Sequence, residues 1–166
     1  VRSRRQRQMC IRDSVYTARH DKDASAIDAT NPSTAPTRRV ELDELLRTSD
    51  VVSVHCPLTE QTRHIIDAEA LAAMKSTAYL VNTARGACVD EKALVTALRN
   101  GEIAGAGLDV YENEPDIEPE LYDMDNVVLL PHIGSAARRT REKMTELAAR
   151  NIAAVLGGKD ALTPVG

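Results

Sequence analysis

An α/β fold built on a parallel sheet is what this sequence predicts, and three observations carry the prediction. Short apolar, β-prone runs alternate with stretches of helical periodicity. The helical stretches carry start and stop signals where helices need them. Polar residues gather just after the apolar runs, where ligands bind in sheets of this kind. The composition permits the fold: 166 residues, 43% hydrophobic and 28% charged, are enough for one domain with a core and too few for two. With no Trp and no Phe, that core must be made of Val, Leu, Ile, Ala and Met.

The elements follow in order. Residues 15–18 are a β-prone run, and a polar loop extends from His20 to about Thr37. A short strand is expected near Arg39 and Val40. Leu42, Leu45 and Leu46 give residues 40–47 helical periodicity. Residues 51–55 form a continuous β-branched run, as in a strand covered on both faces, and residues 78–82 read as a second buried strand. Residues 67–74 read as a helix capped by Asp67, and residues 90–99 as a helix capped by Asp90 and stopped at Asn100-Gly101. Residues 104–110 and 127–130 give two more strands. Ser135 is the expected cap of a last helix over residues 136–156. Strands alternating with helices at this spacing imply right-handed βαβ units.

The first 14 residues fit none of this. Residues 1–13 hold five Arg and one Asp, leaving a net charge of about −8 on the rest of a chain whose total is −4. The stretch is aperiodic and lacks the apolar segment of a signal peptide. It resembles translated sequencing-adaptor sequence and is expected to be a non-native or disordered leader. Residues 15–166 then form the domain. Its acidic balance gives no reason to expect nucleic acid or an anionic membrane as a partner. Cys10, Cys56 and Cys88 are odd in number and widely spaced, which argues against a disulfide framework or a zinc site and fits a reducing cytoplasm. No metal is expected.

Four strand ends deliver polar residues to one edge: His55-Cys56-Pro57, Asn82 to Gly86, Asp109, and Pro131-His132. A dinucleotide site would also need GxGxxG in the first strand–helix turn. The first glycine here is Gly86, and Gly105-Ala106-Gly107 reads as strand interior, its glycines allowing close backbone packing. Either nucleotide binding is not the function, or the first βα unit is absent.

Four segments then carry a resemblance: Ser49-Asp-Val-Val-Ser-Val-His-Cys-Pro-Leu-Thr59, Leu80-Val-Asn-Thr-Ala-Arg-Gly86, Gly107-Leu-Asp-Val-Tyr-Glu-Asn-Glu-Pro115 and Leu130-Pro-His-Ile-Gly-Ser135. In this order and spacing the chain resembles the NAD(P)-binding domain of the D-isomer-specific 2-hydroxyacid dehydrogenases, from Val15 to about Leu162. The segment from Pro131 to Met144 is most similar to glyoxylate/hydroxypyruvate reductases. The resemblance implies a Rossmann-like doubly wound parallel sheet, truncated by loss of the first βα unit and its glycine-rich loop. Residues 15–19 and the strand near Arg39 would lie on the far side of the missing strand, leaving residues 51–55 with an unpaired edge.

The implied activity moves a hydride between NADPH or NADH and a small 2-keto acid. The resemblance makes His132 the proton donor, fitting the acidity of imidazolium. Glu114 would orient it and stabilise its charged form. Arg85 would grip the substrate carboxylate with a forked contact. Asp109 would hold the nicotinamide carboxamide. Thr83, Ala84, Arg85 and the turn of His132, Gly134 and Ser135 would line the cofactor, and Cys56, Pro57 and Thr62 would shape the wall near its ribose and phosphates. Arg19, followed by His20 and Lys22 with no carboxylate before Asp21, points to NADP rather than NAD. His55 and His64 read as structural or solvated. By resemblance the parent enzyme is a homodimer. The chain alone is expected to bind dinucleotide poorly and to be inactive.

Two other readings stay open at this stage: a corepressor-like dinucleotide-sensing protein of the same fold, and a non-functional gene fragment. The Ile133-Gly-Ser-Ala-Ala137 segment resembles the reductases rather than the corepressors.

Overall fold

The computed structural model describes residues 14–18 and 37–164. Residues 1–13 of the expected leader, Arg19, and the polar loop up to residue 36 lie outside them. Four strands, β3 (Val51–Val54), β4 (Tyr79–Asn82), β5 (Gly105–Leu108) and β6 (Val127–Leu129), form a parallel sheet in sequence order. The two short strands β1 (Val15–Tyr16) and β2 (Arg38–Arg39) pair in parallel as a separate sheet. Strand β3 therefore stands at an edge, as expected.

The helices start where side-chain oxygens can take up free N–H groups. Helix α1 is Leu42–Thr48. Helix α2 (Ala68–Ala73) begins with Asp67 accepting from the Ala70 N–H at 2.9 Å. Helix α3 (Glu91–Asn100) begins with Asp90 accepting from Ala93 at 3.0 Å, and ends at Gly101, whose φ of 70° is left-handed.

Each crossover of the four-stranded sheet moves the chain one strand in the same direction, so right-handedness puts α2 and α3 on one face. Helix α2 contacts both α1 and α3. Between them and the sheet lies the core, where Leu71, Leu80 and Leu94 are wholly shielded. The other face is open among the described residues: Val51, Tyr79 and Val128 are 59%, 51% and 62% exposed. This corrects the two-sided burial expected of residues 51–55 and 78–82. The side chains of β3 alternate instead, exposed and buried, because every crossover helix described lies on one side.

Helix α4 (Arg138–Leu156) has no buried residue. Its start corrects another expectation. Ala137, not Ser135, occupies the cap, and no side chain bonds there. Ser135 falls in a turn in which Ala136 donates to the Ile133 carbonyl, and its own carbonyl accepts from Arg141 Nε. No helix among the described residues is long and apolar enough to cross a membrane.

Candidate active site

At the carboxyl edge of the sheet the exits of β4 and β5 each carry a buried polar side chain that holds a turn. After β4 the holder is Asn82, 1% exposed. Its amide donates to the Arg85 carbonyl at 2.9 Å and its oxygen accepts from the Ala84 N–H at 3.1 Å. Thr83 to Arg85 thus form a tight loop, and the Arg85 guanidinium, bonded through Nη1 to the Ala84 carbonyl, stays exposed. Gly86 then passes so close to the next strand's exit that a Cβ there would lie 1.8 Å from the Tyr111 carbonyl oxygen. Only glycine permits this approach.

After β5 the holder is Asp109, 3% exposed. Its two oxygens accept from the N–H groups of Ile133 and Gly134, each at 2.8 Å. These bonds fix the turn after β6, including His132, whose φ of 51° is uncommon for a residue with a Cβ. Crowding also restricts Gly134, where a Cβ would stand 2.9 Å from Asp109 Oδ2.

Glu114 completes the arrangement. Its Oε2 lies 2.8 Å from His132 Nδ1, and its Oε1 accepts from the Tyr111 N–H at 3.0 Å. The hydrogen bond from His132, followed by that from Tyr111, holds the Glu114 carboxyl below its ordinary value. An ionised Glu114 makes Nδ1 the donor and leaves Nε2 as the ring nitrogen free for proton transfer. Arg85, Glu114 and His132 share one open cleft of about 500 Å³, bounded also by Leu58 and Gly86.

Two further side chains hold the Glu114 loop: Glu91, which sequence reasoning missed, and His64, which it read as structural or solvated without a partner. Glu91, 5% exposed at the start of α3, accepts from the backbone N–H groups of Glu112 and Glu118. Burial pushes its carboxyl upward, against these two bonds. His64 Nε2 lies 2.7 Å from Glu112 Oε1, so this histidine is a structural link between loops rather than a solvated one. His55, by contrast, meets only Ser53 Oγ, at 2.9 Å on the exposed face. Local signals could not reveal these roles: Glu91 reads as an ordinary acidic residue in a first helical turn, and His64 meets a partner 48 residues away.

The remaining expected residues divide. Asp109, Gly134 and Ser135 belong to the turn beneath His132, and Thr83 and Ala84 to the loop before Arg85. Cys56, Pro57 and Thr62 lie on the loop after β3 and do not line this cleft. Thr62 closes that loop on itself, its hydroxyl donating to the Pro57 carbonyl at 2.6 Å and accepting from the Thr59 N–H at 2.7 Å. Arg19 is outside the described residues.

Residues 13–134 match the profile of the D-isomer specific 2-hydroxyacid dehydrogenase NAD-binding domain. The chain belongs to this family. A glyoxylate reductase of Thermofilum pendens is 58% identical over 121 residues, which are 72% of this chain and 35% of that protein. A glyoxylate/hydroxypyruvate reductase of Arabidopsis thaliana is 48% identical over 122 residues, 74% of this chain and 39% of that one. Among solved structures, an NADPH-dependent glyoxylate/hydroxypyruvate reductase from Sinorhizobium meliloti, in complex with NADP and malonate, superposes with a TM-score of 0.81 at 39% identity. That match covers 92% of this chain and 45% of the solved one. The chain thus spans about a third of the length of the curated 2-hydroxyacid dehydrogenase relatives it matches. Its parallel sheet and crossover helices are the Rossmann-like arrangement of an NAD-binding domain.

Proposed function

We propose that this chain is the catalytic-residue-bearing part of the cofactor domain of an oxidoreductase that moves a hydride between NAD(P)H and a small 2-keto acid, glyoxylate or hydroxypyruvate. The observation that carries the reading is the 2.8 Å pairing of His132 Nδ1 with Glu114, on the same cleft as the exposed Arg85. His132 delivers the proton from Nε2 to the substrate oxygen, and Glu114 keeps the ring oriented through Nδ1. Arg85 binds the substrate carboxylate.

Reduced nicotinamide, when bound, supplies the hydride. The residues fit that group. Asp109 is a buried carboxylate that gives one lone pair from each oxygen to Ile133 and Gly134 and keeps others for a carboxamide. By the family resemblance Thr83, Ala84, Gly134 and Ser135 would line the cofactor, and Cys56, Pro57 and Thr62, on the loop after β3, would shape the wall near its ribose. Arg19 supports NADPH over NADH. The glycine-rich loop that grips the phosphates is not in this sequence, so firm binding requires the rest of a parent enzyme. We place that enzyme in the cytoplasm as a homodimer, with neither nucleic acid nor membrane as partner; the free thiols Cys56 and Cys88 fit a reducing compartment.

A chimaera tests this reading. The matched segment of the Thermofilum pendens reductase is replaced by that of this chain. It should reduce glyoxylate with NADPH within roughly tenfold of its parent, and His132→Ala should lower kcat by about 10²–10⁴-fold. A chimaera that folds and binds cofactor yet is inactive, or one indifferent to His132→Ala, would sink the proposal. The 166-residue chain alone should turn over little or nothing, and a rate near that of an intact reductase would overturn the fragment reading.

A further inference from the structure

The proposed hydride and proton transfers use the thiol chemistry of neither Cys56 nor Cys88. Cys56 stands two residues beyond β3, and Cys88 ends the 3₁₀ turn Gly86–Cys88 that follows β4. They are 32 residues apart in sequence, yet their Sγ atoms lie 3.8 Å apart, and both are free thiols. Cys88 is wholly buried and Cys56 half-buried, so solvent meets one member of the pair and not the other. Burial, reinforced by the contact with Cys56, pushes the Cys88 thiol up to about 11, against the charges of Arg85 and Arg63. Cys88 is therefore the poorer first nucleophile, and Cys56 is the point of entry.

We propose that Cys56 and Cys88 are a hydroperoxide-oxidised modification site, closing into a disulfide that ties together two walls of the active-site cleft. The Cys56 thiolate attacks one oxygen of the peroxide, the O–O bond breaks, and Cys56 becomes a sulfenic acid while the other oxygen leaves as water or alcohol with the thiol proton. The Cys88 sulfur then displaces hydroxide from Cys56. The S–S bond forms, and the hydroxide takes the Cys88 proton and leaves as water. Two thiols lose two electrons and one peroxide gains them, so no further reactant is needed.

The geometry favours closure. Bringing the sulfurs from 3.8 Å to bonding distance, about 2.05 Å, needs less than 2 Å of travel. The cross-link would join the loop that carries Leu58 to the turn that carries Arg85, Gly86 and Ala87, all of which line the cleft. Cys88 is already coupled to that turn, because its N–H donates to the Arg85 carbonyl at 3.1 Å. Oxidation is thus set to act on the Arg85 side of the cleft without touching His132 or Glu114.

The test uses the 166-residue chain and hydrogen peroxide. Trypsin separates the three cysteines into residues 8–12, 48–63 and 86–92. Folded chain treated with one equivalent of peroxide should yield 48–63 linked to 86–92 in at least tenfold excess over either pairing with 8–12, and dithiothreitol should reverse it. In urea the three pairings should share the oxidation, which identifies folded geometry as the cause of the selectivity. The oxidised chain should melt roughly 5–10 °C higher than the reduced one, because the link closes a long loop. Cys88→Ala should leave a sulfenic acid on Cys56 that dimedone traps. Cys56→Ser should leave Cys88 a thiol. Pairings distributed alike in folded and urea-treated chain, a Cys56–Cys56 link between chains, or Cys56 advancing to sulfinic acid while Cys88 stays free would each overturn the proposal.

Discussion

The two faces of the four-stranded sheet contrast. On one, α1, α2 and α3 press Leu71, Leu80 and Leu94 out of solvent; on the other, Val51, Tyr79 and Val128 stand open. The geometry of the candidate site follows the packed face. Glu91, which holds the Glu114 loop, starts α3, and Gly86 and Asn82 shape the turn beside it. Stability and site geometry should therefore respond to changes on the first face and ignore those on the second.

The largest effect tests this directly. Leu94→Ala empties a fully buried position and should cost about 2–5 kcal/mol in urea unfolding. Gly86→Ala comes next. Its Cβ has no room beside the Tyr111 carbonyl, so the turn must shift, at roughly 2–3 kcal/mol, with chemical-shift changes spreading to His132. Glu91→Ala leaves two N–H groups without their acceptor and should cost about 2 kcal/mol, with faster amide exchange at Glu112 and Glu118.

Glu114→Gln should cost only a few tenths of a kcal/mol at neutral pH, because Glu114 and His132 are both well exposed. Its sign with pH is definite. The folded value lies below the ordinary 4.5, so the stabilisation is present above 4.5 and is lost as pH falls through the folded value. The gap between wild type and Glu114→Gln should close over that range. Glu91 has the opposite sign. Its folded value lies above 4.5, so the cost of its buried charge is absent below 4.5 and appears as pH rises through the folded value. The smallest effect is Val128→Thr on the open face, within about 0.5 kcal/mol of wild type. A loss as large as that of Leu94→Ala would mean that this face is packed in solution and would break the comparison.

What was legible in the sequence was local. Asp67, Asp90 and Gly101 announce helix ends through their own chemistry, and each end lies within a residue of its expected place. The parallel sheet was legible because strands alternate with helices at a spacing that implies βαβ units. The one-sided sheet was not, because a β-branched run such as residues 51–55 looks the same whether or not a helix covers its second face. Ser135 failed as a cap for a related reason. The two N–H groups taken by Asp109 hold the preceding residues in a turn and move the helix start to Arg138. Arg85, Glu114 and His132 were found from their motifs, while Glu91 and His64, which support the same loop, depend on contacts between distant segments.

The Asp109 anchor also has a mechanical consequence. Helix α4 starts six residues after His132 and extends about 28 Å from it, a lever long enough to magnify any torque applied at its far end. Its fulcrum is not the histidine but the Ile133–Gly134 backbone, pinned through two charge-assisted bonds to a carboxylate on β5's exit. A pull on α4 would have to work against that pin before it reached the pairing of His132 with Glu114.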